Sequence, residues 1–503
     1  MHIAFLNPQG NFDAHDRYWT EHPDFGGQLV YVKQTAIAMT KLGHTVDIIT
    51  RQIIDVDWPE FAQAVDSYPD CPNLRILRLP AGPDRFLRKE RLWPHIGGSW
   101  VPNILAFYRQ EGALPDAFTT HYADGGLSGV LLEEETGIPF TWTGHSLGAQ
   151  KMDQLGVTNA NLADLNAYHH FASRIVAERL SMNRSAVNIT STRQERFEQY
   201  AHHVYRDAVD VQDDRRFAVI APGVNLQIFD HNVVNDDEAA TQAYVRAMLR
   251  RDLDAERVGL PAIVAASRLD AKKNHIGLLK AFAGSPDLQA SANLVLFTGA
   301  LNEPLHDATR AAPPEREVLK QIHGVIEEHQ LWGKISAFAL RGQRALAAAY
   351  RFLARQRSVF ALTSHYEPFG LAPLEAAAAG LPLIVTKNGG PSESLRTCGT
   401  EYGVLVDPRD PEDIAAGLLR VIGDRDAWQT FSDRGRRRVT ERYTWERTAE
   451  SYLGQIAATT TRPDARRPED LLPIHPYLRG MGADEVTLDE LRTLYFVWER
   501  EWG

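Results

Sequence analysis

The chain has little of what marks several common protein classes. Its 503 residues include only two cysteines, Cys71 and Cys398, which are too few for a disulfide framework and fit a reducing compartment. Acidic residues outnumber basic ones by 65 to 54, and the net charge of −11 argues against a general binder of nucleic acid or anionic membranes. No apolar run approaches the roughly 20 residues that cross a bilayer, and the apolar segment after Met1 is too short for a signal peptide. We therefore expect a cytoplasmic protein of more than one domain, with no membrane or nucleic-acid partner.

Signatures of the common nucleotide and metal sites are also absent. The chain contains neither the GxGxxG pattern of dinucleotide-binding domains nor a Walker A phosphate loop. Its His, Cys, Asp and Glu residues are not clustered at the spacings of a metal site. We expect that no cofactor is required, which still leaves room for stimulation by magnesium.

What the chain does contain is a regular alternation of short apolar runs and helical segments. The runs are bounded by turn residues and suit strands that are buried on both faces of a parallel sheet. They form two series, residues 3–6, 46–49, 75–78, 117–120, 140–143, 187–190 and 218–220, then 262–266, 294–297, 335–338, 359–362, 383–386 and 403–406. The sequence therefore predicts an α/β protein with two Rossmann-like, doubly wound parallel-sheet domains that face each other across a cleft.

Domain boundaries follow from a polar, acidic stretch near residues 221–260 that separates the two series. We place an N-terminal domain at 1–222, a second domain at 223–445, and a C-terminal crossover helix and tail at 446–503 that returns to the N-terminal domain. Within the tail, a linker is predicted from Thr459 onward. A capping box formed by Thr487 and Glu490 predicts a last helix with one apolar face, made by Leu491, Tyr495 and Trp498.

Two further helices have clear sequence signals. Asp410 followed by Pro411 is typical of a helix start, with an N-cap acid and proline at the first helical position. Apolar residues spaced three or four apart predict an earlier helix with one buried stripe, formed by Leu29, Val32, Ala36 and Met39.

The most informative segment is residues 367–375, EPFGLAPLE, which follows a buried strand and leads into an alanine-rich helix. Ligands of parallel α/β sheets bind at the carboxyl ends of the strands. Backbone N–H groups at the start of a helix favour an anion such as a diphosphate. Because a carboxylate beside a diphosphate would be repelled, Glu367 and Glu375 are better suited to sugar or ribose hydroxyls. Taken alone, the pair is also compatible with a capped helix that exposes two acids.

Two other loops carry weaker signals. Arg268 and Lys273 follow the first strand of the second series, where they could neutralise the charge that develops on a leaving diphosphate. A basic loop of this kind is also compatible with a solvated turn. In the first series, the pair Gly26–Gly27 within DFGGQ opens a helix and would let a phosphate or sugar approach the backbone.

Four stretches carry a resemblance to a known family, namely residues 4–11 (AFLNPQGN), 18–28 (YWTEHPDFGGQ), 143–151 (TGHSLGAQK) and 367–375. In these runs the chain resembles the sucrose-phosphate synthases and their neighbours, the sucrose synthases. Both are retaining glycosyltransferases of the two-Rossmann GT-B architecture, and the likeness is greatest to the bacterial, family 4-like sucrose-phosphate synthases.

The resemblance implies a donor site for a nucleotide sugar, with UDP-glucose preferred. It implies the following contacts: diphosphate with Arg268, Lys273, Leu371 and Ala372, ribose with Glu375, glucose with Glu367, Phe369, Gly370 and His145, base with the backbone from Phe338 to Leu340, and further donor contacts with Gly26 and Gly27.

The resemblance also implies that the acceptor is a hexose phosphate, fructose 6-phosphate. The implied contacts are Lys89, Lys151 and Arg174 for the phosphate and Gln28, Tyr122 and Ser146 for the sugar. Independently of the resemblance, binding of a dianionic phosphate requires two or three cationic side chains that solvent cannot fully replace.

The implied reaction gives sucrose 6-phosphate and UDP with retention at the glucosyl carbon. The leaving diphosphate takes the proton of the acceptor hydroxyl, so no enzyme nucleophile is needed, and Arg268 and Lys273 take the place of a magnesium ion. No Asp-x-Asp-x-Thr motif occurs, so we also expect a separate sucrose-phosphate phosphatase as a partner.

Several alternatives stay open at this point. A sucrose synthase would use free fructose, a mannosylfructose-phosphate synthase would use GDP-mannose, and a non-catalytic sensor would bind the nucleotide sugar without turnover. A different class is indicated by residues 144–148, GHSLG, which match the G-x-S-x-G nucleophile elbow of serine hydrolases.

Overall fold

The computed structural model describes residues 1–16, 25–299, 301–461, 470–482 and 484–496. The chain divides into two units, the first formed by Met1–Ala221 with Trp445–Gly503 and the second by Pro222–Thr444. Both units are α/β, and the predicted parallel sheets are confirmed in each.

The first unit is built on an eight-stranded sheet. Its strands are β1 (His2–Leu6), β2 (Thr45–Arg51), β3 (Val65–Asp66), β4 (Leu74–Leu79), β5 (Ala117–His121), β6 (Phe140–Thr143), β7 (Val187–Thr190) and β8 (Phe217–Val219). The spatial order is β3-β4-β2-β1-β5-β6-β7-β8, and every pair is parallel except β3 with β4. The carboxyl ends of β1, β5 and β6 therefore lie side by side at one edge of this sheet.

Helices cover the faces of this sheet. They are α1 (Gly27–Lys41), α2 (Trp93–His95), α3 (Val101–Glu111), α4 (Tyr122–Thr136), α5 (Gly148–Gln154), α6 (Leu162–His169) and α7 (Phe171–Arg184). The stripe predicted for α1 is confirmed, because its four apolar members, Leu29, Val32, Ala36 and Met39, are all buried.

The second unit is built on a six-stranded parallel sheet and a small antiparallel pair. Its strands are β9 (Ala262–Ala266), β10 (Asn293–Thr298), β11 (Ile335–Ala339), β12 (Val359–Leu362), β13 (Leu383–Thr386), β14 (Arg396–Thr397), β15 (Thr400–Glu401) and β16 (Val404–Val406). The order in the large sheet is β11-β10-β9-β12-β13-β16, so β9 and β12 are central neighbours.

The helices of the second unit begin at Leu226, four residues after the unit starts at Pro222. They are α8 (Leu226–Phe229), α9 (Glu238–Asp252), α10 (His275–Ala283), α11 (Pro286–Ser291), α12 (Pro313–Glu328), α13 (Gln343–Arg355), α14 (Leu371–Ala378), α15 (Pro391–Ser394), α16 (Pro411–Ile422) and α17 (Arg425–Arg442). The polar stretch that separates the two strand series thus carries α8 and α9. The predicted start of α16 is confirmed, since the Asp410 carboxylate accepts from the N–H groups of Glu412 and Asp413 at 2.9 and 3.2 Å.

The C-terminal segment packs on the first unit through α18 (Trp445–Thr461) and α19 (Leu488–Phe496). Trp445 and Tyr452 of α18 are buried in the same apolar cluster as the stripe of α1. The capping box before α19 is confirmed, because Thr487 and Glu490 each accept from the other's backbone N–H. Leu491 is buried as predicted, while the predicted contact of Trp498 lies outside the described residues.

The linker predicted from Thr459 is wrong at its first residues, which form the last turn of α18. Their hydroxyls donate to carbonyls three or four residues back, as Thr459 and Thr460 do to Ile456 at 2.8 and 3.1 Å. Because Thr459 is also buried, packing and these local bonds outweigh the weak helix propensity of a threonine run. Residues 462–469 lie outside the described residues.

Candidate functional site

In the second unit, three loops leave neighbouring strands at the same edge of the sheet. They follow β9, β12 and β13, which pair in the order β9-β12-β13. Asn274, at the end of the first loop, donates to the carbonyls of Thr363 and Pro408 at 3.0 and 2.7 Å. Its side chain also caps α10 by accepting from the N–H of Gly277. These bonds hold the β9 loop in a fixed place beside the end of β12.

Lys273 and Glu367 meet between two of these loops. The Lys273 ammonium lies 2.8 Å from a carboxylate oxygen of Glu367, and both side chains are half-buried, with 27% and 14% of their surfaces exposed. The resemblance implied separate ligands for the two residues, the diphosphate for Lys273 and glucose for Glu367. The structure places them in contact, so each charge sets the position of the other.

A glycine pair that the sequence analysis missed holds the Glu367 loop. Glu367 forms a bridge to Gly389 and accepts through its carbonyl from the N–H of Gly390 at 3.0 Å. A Cβ on Gly389 would overlap the Glu367 carbonyl, and one on Gly390 would lie 2.6 Å from the Cα of Phe369. The sequence signal that could have indicated this glycine pair is the Gly-Gly-Pro run at 389–391, shortly after the buried strand β13.

Glu375 lies in the first turns of α14, which begins after Gly370 in the left-handed conformation, with φ of +96°. Burial raises the pKa of its carboxyl to about 8. Within the part of the chain that the structure describes, this carboxyl forms no side-chain hydrogen bond. The N–H groups of Leu371 and Ala372 lie in the first turn, where they have no acceptor within the helix. The start of α14 thus offers free donors and one acceptor group for a ligand.

Two other donor-site predictions fall on the same unit. Arg268 is exposed on the β9 loop, and its guanidinium pairs with no other described residue. Phe338 is buried in β11, while the N–H of Leu340 donates to Thr298 at 3.1 Å. The carbonyl between them, that of Ala339, accepts from the hydroxyl of Tyr244 at 3.2 Å. A surface cavity of about 420 Å³ borders this segment.

The first unit contains a separate cavity of about 200 Å³. It is lined by Gln9, Lys89, Glu90, Trp93, Tyr122, Ala123, Asp124, Ser146, Lys151, His169 and Arg174. Five of the six residues predicted for the acceptor are among them, and three of these five are cations. The structure thus brings together side chains that are far apart in the sequence.

The cations of this cavity are partly desolvated. Arg174 donates to the carboxylate of Glu178 at 2.8 Å and to the carbonyl of Ser146 at 2.6 Å. The Lys151 ammonium lies 3.2 Å from Nδ1 of His169. Burial lowers the pKa of Lys151, and the nearby charges of Arg174 and Lys89 lower it further. Mutual repulsion of this kind favours binding of an anion, which would relieve it.

Gln28, the sixth acceptor prediction, is not part of the cavity lining. Its amide accepts from Gln9 at 2.7 Å and donates to Asn7. Gln9 itself lines the cavity, so Gln28 fixes a residue that the sequence analysis missed. Asp124 was missed as well, and burial raises the pKa of its carboxyl to about 7. Gln9 lies within the matched stretch 4–11 but had no role assigned to it, Asp124 lies in none of the matched stretches, and the fold brings both to the cavity.

Gly26 and Gly27 are exposed at the start of α1, where a Cβ on either would meet no atom of the described residues within 4 Å. The preceding Asp24 and residues 18–23 of the matched stretch lie outside the described residues. Packing against the described residues therefore does not explain the glycine pair, and its predicted role toward the donor stays a prediction.

His145 follows β6 in the left-handed conformation, with φ of +56°. Its ring lies against those of Tyr31 and Tyr122, at centroid distances of 5.0 and 5.5 Å, and burial lowers its pKa to about 3. A nucleophile elbow would place the strained turn at Ser146 instead. Among the residues described, no histidine accepts from the Ser146 hydroxyl, so the hydrolase alternative has no geometric support.

The described residues show neither a metal-binding cluster nor a membrane-spanning helix. No group of three or more His, Cys, Asp or Glu side chains is arranged to hold a metal ion. None of the helices there is both long and apolar enough to cross a membrane.

Comparison with known families gives the class of protein. Residues 26–211 match the glycosyl transferase 4-like domain, and residues 254–438 match the glycosyl transferases group 1 family. The chain is therefore a glycosyltransferase with two Rossmann-like units, as in the GT-B architecture.

Individual relatives narrow this class. A protein of Thermosipho melanesiensis named "Probable sucrose-phosphate synthase" is 42% identical over 456 residues, covering 91% of this chain and 96% of its own. A Beta vulgaris protein of the same name is 32% identical over 531 residues, covering 93% of this chain and 50% of its own, so the chain spans about half of that relative. The solved sucrose-phosphate synthase of Thermosynechococcus elongatus superposes with a TM-score of 0.65 at 25% identity, covering 92% of this chain and all of that one. The chain belongs to the sucrose-phosphate synthase family.

Proposed function

We propose that this chain transfers glucose from UDP-glucose to fructose 6-phosphate, giving sucrose 6-phosphate and UDP. The observation that carries the proposal is the cavity of the first unit, in which Lys89, Lys151 and Arg174 converge. Each charge-assisted contact to a phosphate is worth about 1.5–3 kcal/mol. Free fructose would make none of these charge-assisted contacts, which favours the phosphorylated sugar over the acceptor of a sucrose synthase.

On the donor side, the proposed contacts with the nucleotide sugar come from the loops at the edge of the second sheet. Arg268 and Lys273 neutralise the diphosphate, together with the N–H groups of Leu371 and Ala372. Glu375 accepts from the ribose hydroxyls, and the backbone beside Leu340 contacts the base. Glu367 holds glucose hydroxyls with the backbone of Phe369 and Gly370. Its contact with Lys273 connects the residues that bind the sugar to those that bind the diphosphate.

The proposed chemistry breaks the bond between the anomeric carbon of glucose and the diphosphate oxygen. The acceptor hydroxyl forms its bond to the same carbon on the same face, so the configuration is retained. The proton of that hydroxyl passes to the leaving diphosphate, and the side chains supply position and charge. We propose that Arg268 and Lys273 suffice for charge neutralisation, with magnesium stimulatory at most.

The product defines a further expected partner. Sucrose 6-phosphate is a phosphate monoester, so release of free sucrose requires a phosphatase, which we propose to be a separate protein. The two cysteines are free thiols, one buried and one exposed, and this fits a reaction in the cytoplasm.

A panel that crosses donors with acceptors tests the proposal. UDP-, ADP- and GDP-glucose and GDP-mannose are each combined with fructose, fructose 6-phosphate and glucose 6-phosphate, and the products are identified by NMR. We expect turnover to be fastest with UDP-glucose and fructose 6-phosphate, and to persist in EDTA. Faster turnover with GDP-mannose would favour a mannosyltransferase instead, and UDP-glucose binding without transfer to any acceptor would favour a sensor.

A further inference from the structure

A second histidine, His121, contacts the His145 ring. His121 is the last residue of β5, where it pairs in register with Thr143, the last residue of β6. His145 follows two residues later, so the carboxyl ends of neighbouring parallel strands bring the two rings together. Nδ1 of His121 lies 2.8 Å from Nε2 of His145, and the ring centroids are 5.1 Å apart at an angle of 25°.

Aromatic rings hold this histidine pair from several sides. Phe5 of β1 stacks on His121 at 5.6 Å with an interplanar angle of 4°. The Tyr31 ring of α1 makes T-shaped contacts with both imidazoles, at centroid distances of 5.9 and 5.0 Å. The Tyr31 hydroxyl in turn meets that of Tyr452 in α18 at 3.1 Å. His121 is fully buried, and its Nε2 has no hydrogen-bond partner among the described residues.

The position of the proton on each ring follows from the number of N–H groups that the two imidazoles carry. Burial lowers the pKa of both imidazoles far below neutral pH, so each ring carries one N–H. If His145 donated through Nε2, the only N–H of His121 would sit on its unpartnered Nε2. If His121 donates through Nδ1, the unpartnered atom is a lone pair instead. In proteins, a buried N–H without an acceptor is rarer than a buried lone pair without a donor. The arrangement in which His121 donates through Nδ1 is therefore favoured.

We propose that His121 is a positioning residue that holds His145 in the Nδ1–H tautomer. His145 then donates to a ligand oxygen through Nδ1 and has no free lone pair with which to accept a proton. The functional consequence rests on the proposed function and on the family resemblance, which implies a contact between His145 and the transferred glucose. There it would hydrogen-bond an oxygen of the sugar, and the diphosphate would remain the base of the reaction.

The tautomer can be read in the wild-type protein without any assay of activity. Long-range ¹H–¹⁵N correlation spectra of the chain labelled with ¹⁵N-histidine distinguish protonated from unprotonated ring nitrogens, and loss of signals in His145→Asn assigns them. We expect a protonated Nδ1 and an unprotonated Nε2 for His145, and the reverse for that ring would overturn the proposal. Because the spectrum requires no substrate, its outcome is independent of whether the proposed function is correct.

Variants of His121 test the effect on turnover. In His121→Asn the side-chain amide can replace the Nδ1–H donor, so kcat should stay within about threefold of wild type. His121→Phe keeps the stack on Phe5 but loses the donor, and kcat should fall about tenfold or more with little change in the acceptor KM. His44→Asn, in the same unit but away from the pair, serves as the control. Equal losses in the Asn and Phe variants, or none in the Phe variant, would contradict the positioning role.

Discussion

Single side chains in the two units are held by specific partners, and their loss should have separable effects. The contact between Lys273 and Glu367 joins the loops after β9 and β12 at a distance of 2.8 Å. The cations around the cavity of the first unit have different neighbours, including Glu178 and His169. Substitutions at the two places should therefore change different kinetic constants.

Replacing Glu367 with alanine should lower turnover. The change removes the proposed hydrogen bonds to glucose and leaves Lys273 without its counter-charge, so kcat with UDP-glucose should fall about ten- to a hundredfold. Steady-state kinetics with both substrates saturating measures this effect. Glu328→Ala, on an exposed part of α12, is the matched control, and an unchanged kcat in Glu367→Ala would remove this residue from the donor site.

Replacing Lys89 with alanine should weaken the acceptor alone. Loss of one charge-assisted phosphate contact should raise the KM for fructose 6-phosphate about ten- to a hundredfold. The KM for UDP-glucose should change little, because Lys89 lies in the first unit and the proposed nucleotide contacts at Arg268, Lys273 and Glu375 lie in the second. Lys41→Ala, at the exposed end of α1, should behave as wild type. Equal changes in both KM values would argue against a phosphate role for this cation.

The carboxyl of Glu375 should make stability fall as the pH rises. Burial raises its pKa from 4.5 to about 8, so between these values the folded chain keeps a proton that the unfolded chain has released. The stability associated with the neutral form is complete below pH 4.5 and is lost as the pH rises through 8. The Tm of Glu375→Gln relative to wild type should therefore increase between these pH values. Glu328→Gln should show no such trend, and a constant difference for Glu375→Gln would refute the shifted pKa.

Elements of secondary structure depend on their caps and on the faces that they bury. Asp410 accepts from two backbone N–H groups at the start of α16. Asp410→Ala should cost about 1 kcal/mol of unfolding free energy, while Asp410→Asn, which keeps the acceptor, should cost much less. Urea denaturation followed by circular dichroism measures both. Equal losses in the two variants would show that the cap contributes through charge rather than through its hydrogen bonds.

At this scale the sequence predicts the long elements well and the short ones poorly. Strands such as β9 and β12 are buried on both faces, so they appear as continuous apolar runs with clear ends. The two-residue strands β3, β14 and β15 contain polar residues such as Asp66, Arg396 and Glu401 and leave no such run. The last turn of α18 was missed because the bonds of Thr459 depend on a helix already formed.

Residues of the candidate site also differ in whether the sequence reveals them. Glu367 and Glu375 lie within one motif, so the sequence reveals them together. Gly389 supports Glu367 only because two loops touch, and His121 meets His145 only through the register of β5 and β6. Such partners depend on contacts between distant segments, which neither spacing nor residue type reveals.

The whole molecule combines a net charge of −11 with cations gathered at specific places. The excess of acid argues against nucleic acid as a partner, yet Lys89, Lys151 and Arg174 share one cavity. Both proposed substrates are anions, and each has its proposed contacts concentrated in a different unit. The total charge thus describes the surface as a whole, while specificity depends on a few partly buried cations.

The central claim is that the acceptor is recognised by its phosphate. The most direct test is the rate of UDP release from UDP-glucose with fructose 6-phosphate compared with the rate with free fructose, each measured as kcat/KM on the wild-type chain. Two or more phosphate contacts of about 1.5 kcal/mol each predict a preference of at least about a hundredfold for fructose 6-phosphate. Equal kcat/KM values for the two sugars would contradict the proposed acceptor and the role of the cationic cavity.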